Sequence, residues 1–592
     1  MQLALQNNRL IRKIILSMFG GSLAAMITSA VAMMADTILA GAVFGKLAIA
    51  AVAVGTPIIN IFQALVQTVI HGASIKMNVS AGKGETEEIR RSFASAAFFT
   101  ATMALLLVLL SQFFASTLVR LFGGSEEVAE LAVWYLRGAS GCIFFGSINL
   151  FMTKTMALYG MQKTIFRSAF LAVSLNVVFS LLLMKVLPER IAIMGLGMGT
   201  WMGGCVAAVT AYFSLRKHRL SFRVKRSDLR LSTLKGFVVH GLPSSGNALA
   251  DGVVSGVVNN LITSGFSNGV LALAVYTAVK SVVTFASAII QAVNLAAAPL
   301  FGIMYGARDK NGLLRSYGES IRLAMFTLLF CAVAVAACSP ILAKIFDMQG
   351  SADFLIGLGI CMFVYQPLTA LIKLTTQFFE SIENPLMGFL YSAIPDSLIY
   401  PLMLAVLLPT MGYTGMWIAY SCNVIPFVLV LYLIRSIAGR SLKVNADRLF
   451  CLDKEIRDNV PKIDISISSD NRDVTFISEQ VFTFLEKEGI NRRTSHTTAL
   501  CLEELAADFV AHTDAADTRK TKSIIMDIKL FADEDRLRVI IRNESAMYNP
   551  LDFELDSESF SKMGVKLAQK LANSITYHYV YKMNIITIDI NR

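Results

Sequence analysis

Residues 82–93 read GKGETEEIRRSF, and residues 306–317 read GARDKNGLLRSY. Each stretch is a short polar turn between two long apolar runs. Glycine opens both, a charged pair follows, and Arg-Ser-aromatic closes both, at Arg91-Ser92-Phe93 and Arg315-Ser316-Tyr317. The register holds upstream, where Leu47-Ala48-Ile49-Ala50 returns as Leu271-Ala272-Leu273-Ala274. Further on, Met194-Gly195 and Cys205 return as Met411-Gly412 and Cys422. Shared apolar composition does not reproduce polar loops, so the chain carries an internal repeat. A membrane-spanning helix needs about 20 mostly apolar residues. Twelve such runs are expected, at 14–41, 47–75, 91–117, 129–158, 163–187, 191–214, 236–263, 268–300, 318–342, 352–381, 386–409 and 413–436. Runs this long satisfy their backbone in lipid only as helices. Six spans separate equivalent positions, so the two six-helix repeats share one orientation. Parallel repeats around a cavity suit alternating access.

Charge divides the chain in two. Of 592 residues, 55% are hydrophobic and 16% charged, against about 25% charged in ordinary soluble domains. Residues 441–592 hold 21 Lys and Arg and 25 Asp and Glu, leaving 32 basic and 17 acidic residues for the first 440. Three units are therefore expected: transmembrane repeats over 1–220 and 221–440, and a water-solvated domain over 441–592. The basic excess of the first part sits in alternate loops, with Arg9, Arg12, Lys13, Lys76, Lys83, Arg90, Lys163, Arg167, Arg216 to Lys235, Arg308 and Arg315 on one side. Lys46, Arg120, Lys185, Arg190 and Lys344 make up the other side. The positive-inside rule then places both termini and the soluble domain in the cytoplasm of a multi-pass cell-membrane protein. It explains the basicity without nucleic acid. The eight cysteines form no CxxC or Cys/His cluster and read as small apolar packing residues. The first apolar run is too long for a cleavable signal.

Several motifs carry a family resemblance over about residues 10–437. They are Met34-Ala35-Asp36-Thr37 before Ala48-Ile49-Ala50-Ala51, the Gly82-Lys83-Gly84-Glu85 turn, Tyr159-Gly160-Met161-Gln162-Lys163 with Asn176-Val177-Val178, and Gly241-Leu242-Pro243. In order and spacing they resemble the MATE (multidrug and toxic compound extrusion) transporters. The resemblance implies cation-coupled export of organic compounds, with H⁺ or Na⁺ as coupling ion.

Acids inside a span are costly and are functional candidates by default. By the resemblance, Asp36 matches the family's ion-accepting acid on the first helix, and Asn176 its polar partner on the fifth. The acid expected one turn later is Ser180, which counts against a multi-oxygen Na⁺ site and leaves single-carboxylate proton coupling open. Asp251, ten residues after Gly241, matches an acid found in one branch of the family. Asp396, directly after Pro395, has no family counterpart and is read as a cavity residue beside a hinge. Lys280 is expected to neutralise Asp251 or Asp396, or to meet an anionic cargo. Lys154 and Arg137 are expected to snorkel or pair locally.

After Arg440 the period changes. Strands are expected at 463–467, 523–531, 536–541, 575–580 and 584–590, and helices at 476–487, 497–511 and 564–572, an α+β sandwich. Glu504-x-x-x-Asp508-x-x-x-His512, Asn543-Glu544-Ser545 with Tyr548-Asn549-Pro550, and Met563-Gly564-Val565 resemble the histidine-kinase-like ATPase domain of the anti-sigma-factor branch. That resemblance implies Mg-ATP near Glu504, Asp508, Asn543 and Gly564, with Asp508 on the metal. It is weakened by Asp508 for Asn, Asn543 for Asp and Ser545 for Gly. A degenerate domain serving as a regulatory or partner-binding module is the alternative. The first reading of the whole is a secondary transporter exporting small organic compounds, with a cytoplasmic regulatory domain that binds a protein partner. The others are a flippase for a lipid-linked or anionic metabolite and a membrane-tethered signalling protein. A primary ATP-driven pump is disfavoured, because no Gly-x-x-x-x-Gly-Lys-Ser/Thr motif occurs.

Overall fold

The computed structural model describes residues 9–44, 46–122, 126–217, 228–230, 232–346, 348–438, 450, 452–453, 456, 463–468, 471–516, 525–532, 535–552 and 562–592. In a few helical stretches, including those of Asp36 and Asp251, the backbone is described and the side chains are not.

The first repeat comprises α1 (Arg9–Phe44), α2 (Lys46–Lys83), α3 (Thr86–Phe113), the short α4 (Ala115–Leu121), α5 (Glu126–Ala139), α6 (Gly141–Leu158), α7 (Gln162–Val186) and α8 (Ile193–Lys217). The second runs through α9 (Thr233–Gly265), α10 (Gly269–Gly306), α11 (Lys310–Ala337), the short α12 (Ser339–Ile345), α13 (Ala352–Ile360), α14 (Gln366–Ser381), α15 (Pro385–Ala393), α16 (Tyr400–Cys422) and α17 (Val424–Ala438). Ten helices are long and apolar enough to cross a membrane among the described residues, against twelve expected. The expected seventh span lies on α9, part of whose side chains are not described. The last two merge in part, because α16 runs on through a break at Gly412, where φ is 56°. Large apolar side chains such as Phe113, Phe326, Phe330 and Val406 face outward, as lipid contact requires.

The repeats meet through α2, which packs on α9 and α10, while α1 also packs on α10. Backbones approach closely at glycines. A Cβ on Gly241 would stand 1.8 Å from the Thr68 carbonyl oxygen, and one on Gly306 would stand 2.0 Å from that of Val79. Only glycine permits such crossings. Thr68 Oγ1 donates to Ser245 Oγ across the same seam, at 2.6 Å. These contacts all use the C-terminal half of α2, near the end that carries the C-terminal domain.

That domain contains β1 (Ile463–Ser468), α18 (Asn471–Lys487), α19 (Arg492–Ala516), β2 (Ile525–Ala532), β3 (Arg536–Asn543), α20 (Met563–Leu571), β4 (Ser574–Val580) and β5 (Met583–Asn591). The strands form one antiparallel sheet in the order β1-β2-β3-β5-β4. Strand side chains alternate between faces. Ile465, Ile528, Leu530, Val539, Ile541, Ile586 and Ile588 share a core with the three helices. Phe531, Ile540, Val580, Met583 and Ile585 join the core of the membrane bundle instead. Both faces of the sheet are therefore covered.

Candidate functional site

A cavity of about 300 Å³ opens inside the second repeat, lined by Tyr276, Lys280, Tyr365, Lys373, Asp396 and Asn423 among others. Two of these residues sit on helix irregularities. The helical run 361–365 and the run 394–399 each make a π-helical turn, and these hold Tyr365 and Asp396 respectively. Such turns widen the helix by one residue and recur at functional sites. Here Pro395 contributes by lacking the N–H that a regular ladder would use. Asp396 Oδ2 pairs with Lys373 Nζ at 3.2 Å, and its Oδ1 accepts from Asn423 Nδ2 at 3.0 Å. Lys373 is thus a counter-ion of Asp396, while Lys280 lies over the ring of Tyr276 at 5.6 Å. An aromatic wall completes the cavity. Tyr365 stacks on Tyr420 with centroids 4.3 Å apart, and Tyr400 donates to Tyr276 at 3.3 Å. The result is a half-buried carboxylate with exchangeable partners beside a surface that suits flat, partly apolar molecules.

Asp251 lies on α9, one turn before Val254 and Ser255, which line the same cavity. Asp36 lies on α1. The side chains of both acids are outside the described residues. Asn176 and Ser180 are in contact. Asn176 Oδ1 accepts from Ser180 Oγ at 3.0 Å and from Thr200 Oγ1 at 3.3 Å. Ser180 also packs directly on Gly199 of α8.

One acid escaped sequence reading. Glu380, at the end of α14, is 3% exposed and accepts from Ser244 Oγ at 2.7 Å. It interacts electrostatically with Lys154 of the first repeat and with Lys373 of the second. It falls at the end of the expected span 352–381, just before the polar Glu383-Asn384-Pro385 stretch, and nothing local signals its burial. Lys154 interacts with Glu380 across the repeats, and Arg137 lies 5.3 Å over Trp134.

In the C-terminal domain, Asp508 is ion-paired with Lys562 at 3.0 Å and accepts from Tyr548 at 2.7 Å. Burial, and then Asp508 itself, raise the Tyr548 phenol well above its usual range, so it remains a donor. His512 stacks on Tyr548 at 3.6 Å. Asn543 Oδ1 accepts from Asn584 and Ser545 at 2.9 and 3.0 Å, while its Nδ2 is buried without a partner. Gly564 abuts Glu504, where a Cβ would overlap the carboxylate. Mg²⁺ needs an available carboxylate and the adenine amino group needs an acceptor. Here the carboxylate is neutralised by Lys562 and the free amide group is a donor, so these residues do not fit Mg-ATP. Among the described residues no three His, Cys, Asp or Glu side chains converge as a metal site.

Duplicated helical repeats around a polar cavity define a multi-pass membrane transporter fold. The MatE family model matches residues 22–182 and 253–402, one stretch in each repeat and together more than half of the chain. The chain belongs to the MatE family. Solved structures agree on the fold. An outward-facing multidrug resistance MATE family transporter of the MOP superfamily superposes with a TM-score of 0.63 at 19% identity, covering 73% of this chain and 97% of that one. A MOP superfamily transporter from Pyrococcus furiosus, described as having a binding pocket of reverse polarity, gives 0.63 at 19%, covering 74% and 98%. A Vibrio cholerae MATE transporter gives 0.64 at 16%, covering 73% and 97%. No curated protein matches the chain.

Proposed function

We propose that the protein is a secondary transporter of the cell membrane that exports small organic compounds by alternating access, driven by H⁺ or Na⁺, with its C-terminal domain regulating the cycle. The observation that carries this reading is Asp396, held by Lys373 and Asn423 on a π-turn that faces an aromatic cavity. A cation taken up at Asp396 neutralises its carboxylate and frees the Lys373 ammonium, so ion and cargo compete for one charge balance. Asp36 and Asp251 are the further ion-accepting candidates, with Asn176 and Ser180 supporting the first repeat's site. The positive-inside charge pattern supports a cytoplasmic domain and cytoplasmic termini. Lys280 and Lys373 together favour, as second reading, a carboxylated or phosphorylated cargo over a purely cationic one.

The test is uptake into proteoliposomes under an imposed proton or sodium gradient, with a fluorescent organic cation and an organic anion as probes. Asp396→Asn is expected to lower gradient-driven transport about tenfold, a loss of ~1.4 kcal/mol in the coupled step. Asp36→Asn, Asp251→Asn and Glu380→Gln are measured alongside it. Full gradient-driven transport in all four variants would falsify the coupling assignment. For the C-terminal domain, titrating the full chain with Mg-ATP is expected to give no binding heat. Saturable heat that Asp508→Ala abolishes would restore the nucleotide reading.

A further inference from the structure

Asp309 closes the second repeat's polar turn and caps α11, accepting from the Gly312 N–H at 2.8 Å. It is wholly buried, and what buries it is the soluble sheet. Lys529 of β2 donates to both of its carboxylate oxygens, at 2.9 and 2.8 Å, and Arg542 of β3 donates to one of them. Lys529 and Arg542 are each 1% exposed. Arg315 of α11 reaches Asp464 of β1 at 2.9 Å. The sheet is therefore anchored ionically to the second repeat.

Its other anchor is on the first. The β4–β5 hairpin turns at Tyr581 and Lys582, both with positive φ, at 53° and 58°. Bulky residues avoid this backbone region, and two in succession persist only where the surroundings over-determine them. The Tyr581 N–H donates to the Leu158 carbonyl at 2.9 Å, satisfying an end of α6. Lys582 and Tyr581 pack on Gly160, and His578 packs on Gly84 in the turn that repeats the Asp309 turn. The Tyr581 ring runs on across the seam, and its hydroxyl donates to the Ala296 carbonyl of α10 in the second repeat. Tyr581 is wholly buried. One domain thus grips both repeat-related turns, and one side chain spans both repeats.

We propose that the C-terminal domain is a lock that holds the two repeats together at its end of the bundle, with Asp309 as its anchor and the Tyr581–Lys582 hairpin tip as its bolt. This rests on the alternating-access reading, because rocking one repeat from the other is what the lock would prevent. Partial release is disfavoured: moving one partner away leaves Asp309, or Lys529 and Arg542, buried and uncompensated. Release of the whole domain returns all three to water. The arrangement therefore has two states, docked and free, and only the free state lets this end open.

The experiment uses the full-length chain with its eight native cysteines replaced. Spin labels go on Lys163→Cys in the first repeat and Leu386→Cys in the second, both exposed at the end the domain covers. The parent is expected to give a single short distance. Asp309→Ala is expected to add a longer population and to raise ethidium transport about tenfold, as removal of a ~1.4 kcal/mol restraint would. Tyr581→Phe keeps the packing and loses only the hydroxyl's bonds, to Ala296 and to Gln162, and it is expected to move both readouts the same way by less. It also decides the matter if Asp309→Ala fails to fold. Unchanged distances in Tyr581→Phe and in folded Asp309→Ala would overturn the lock, whatever the transport. Shifted distances with no transport by any variant would uphold the lock and count against the transporter reading.

Discussion

His578 is the residue whose chemistry is most exposed to solution conditions. Docked on Gly84, with both ring nitrogens buried and unpartnered, it is pushed down to about 4 by burial and then by Arg542. A released domain returns the imidazole to its ordinary value near 6.5. Between those values the free state binds more protons, so docking is complete above the free value and is lost as pH falls towards about 4. Asp527 works the other way, because burial raises its carboxyl to about 6. Its contribution is present at low pH and is lost as pH rises through about 6. From neutrality down to about 6, His578 has the larger effect and Asp527 partly offsets it. Acidification over that window is expected to loosen the domain in the parent and not in His578→Gln, as read by protease sensitivity of the β4–β5 hairpin. Equal sensitivity of the two proteins would exclude His578 as the cause. The sequence offered no hint of this residue, since a lone histidine in an alternating strand reads as its solvent face.

Among the elements, α2 decides how the repeats fit. Its C-terminal half meets α9 at Gly241 and α10 at Gly306, and each crossing is closer than any side chain allows. Gly306→Val puts a branched carbon where the Val79 carbonyl stands, an overpacking that costs about 1–3 kcal/mol. The expected result is a looser seam, with a lower melting temperature and a larger open population between labels on Lys163→Cys and Leu386→Cys. An unchanged distance distribution would show that the crossing does not hold the seam. The sequence displayed these glycines within polar turns and apolar runs but did not say which helix each one meets. The π-turn at Asp396 was half legible. Pro395 marked a disturbance in the helix, yet the pairing with Lys373 depends on how far that turn rotates the acid. Glu380 was illegible for a related reason, since its burial comes from Ser244 on a different helix.

At the scale of the whole molecule, the sheet and the bundle form one structure at the seam. Amide hydrogen exchange is expected to protect Leu158–Gly160, Ala307–Asp309 and the Tyr581–Lys582 turn together, and to expose them together in Tyr581→Phe. Exchange of the hairpin alone would mean that the domain frays instead of undocking as a unit. The sequence by itself determined the apolar helices, the duplication, the basic side and the order of strands and helices in the tail. Each of these follows from periodicity, run length and local charge, which a linear chain displays. In β2 it also determined that Asp527, Lys529 and Phe531 share one face while Met526, Ile528 and Leu530 share the other. Only the tertiary structure decided that the charged face lies against the bundle. A strand's alternation specifies which side chains point the same way, but what covers them depends on Asp309, 220 residues away, and on a buried ion pair none of whose partners can be left alone away from water.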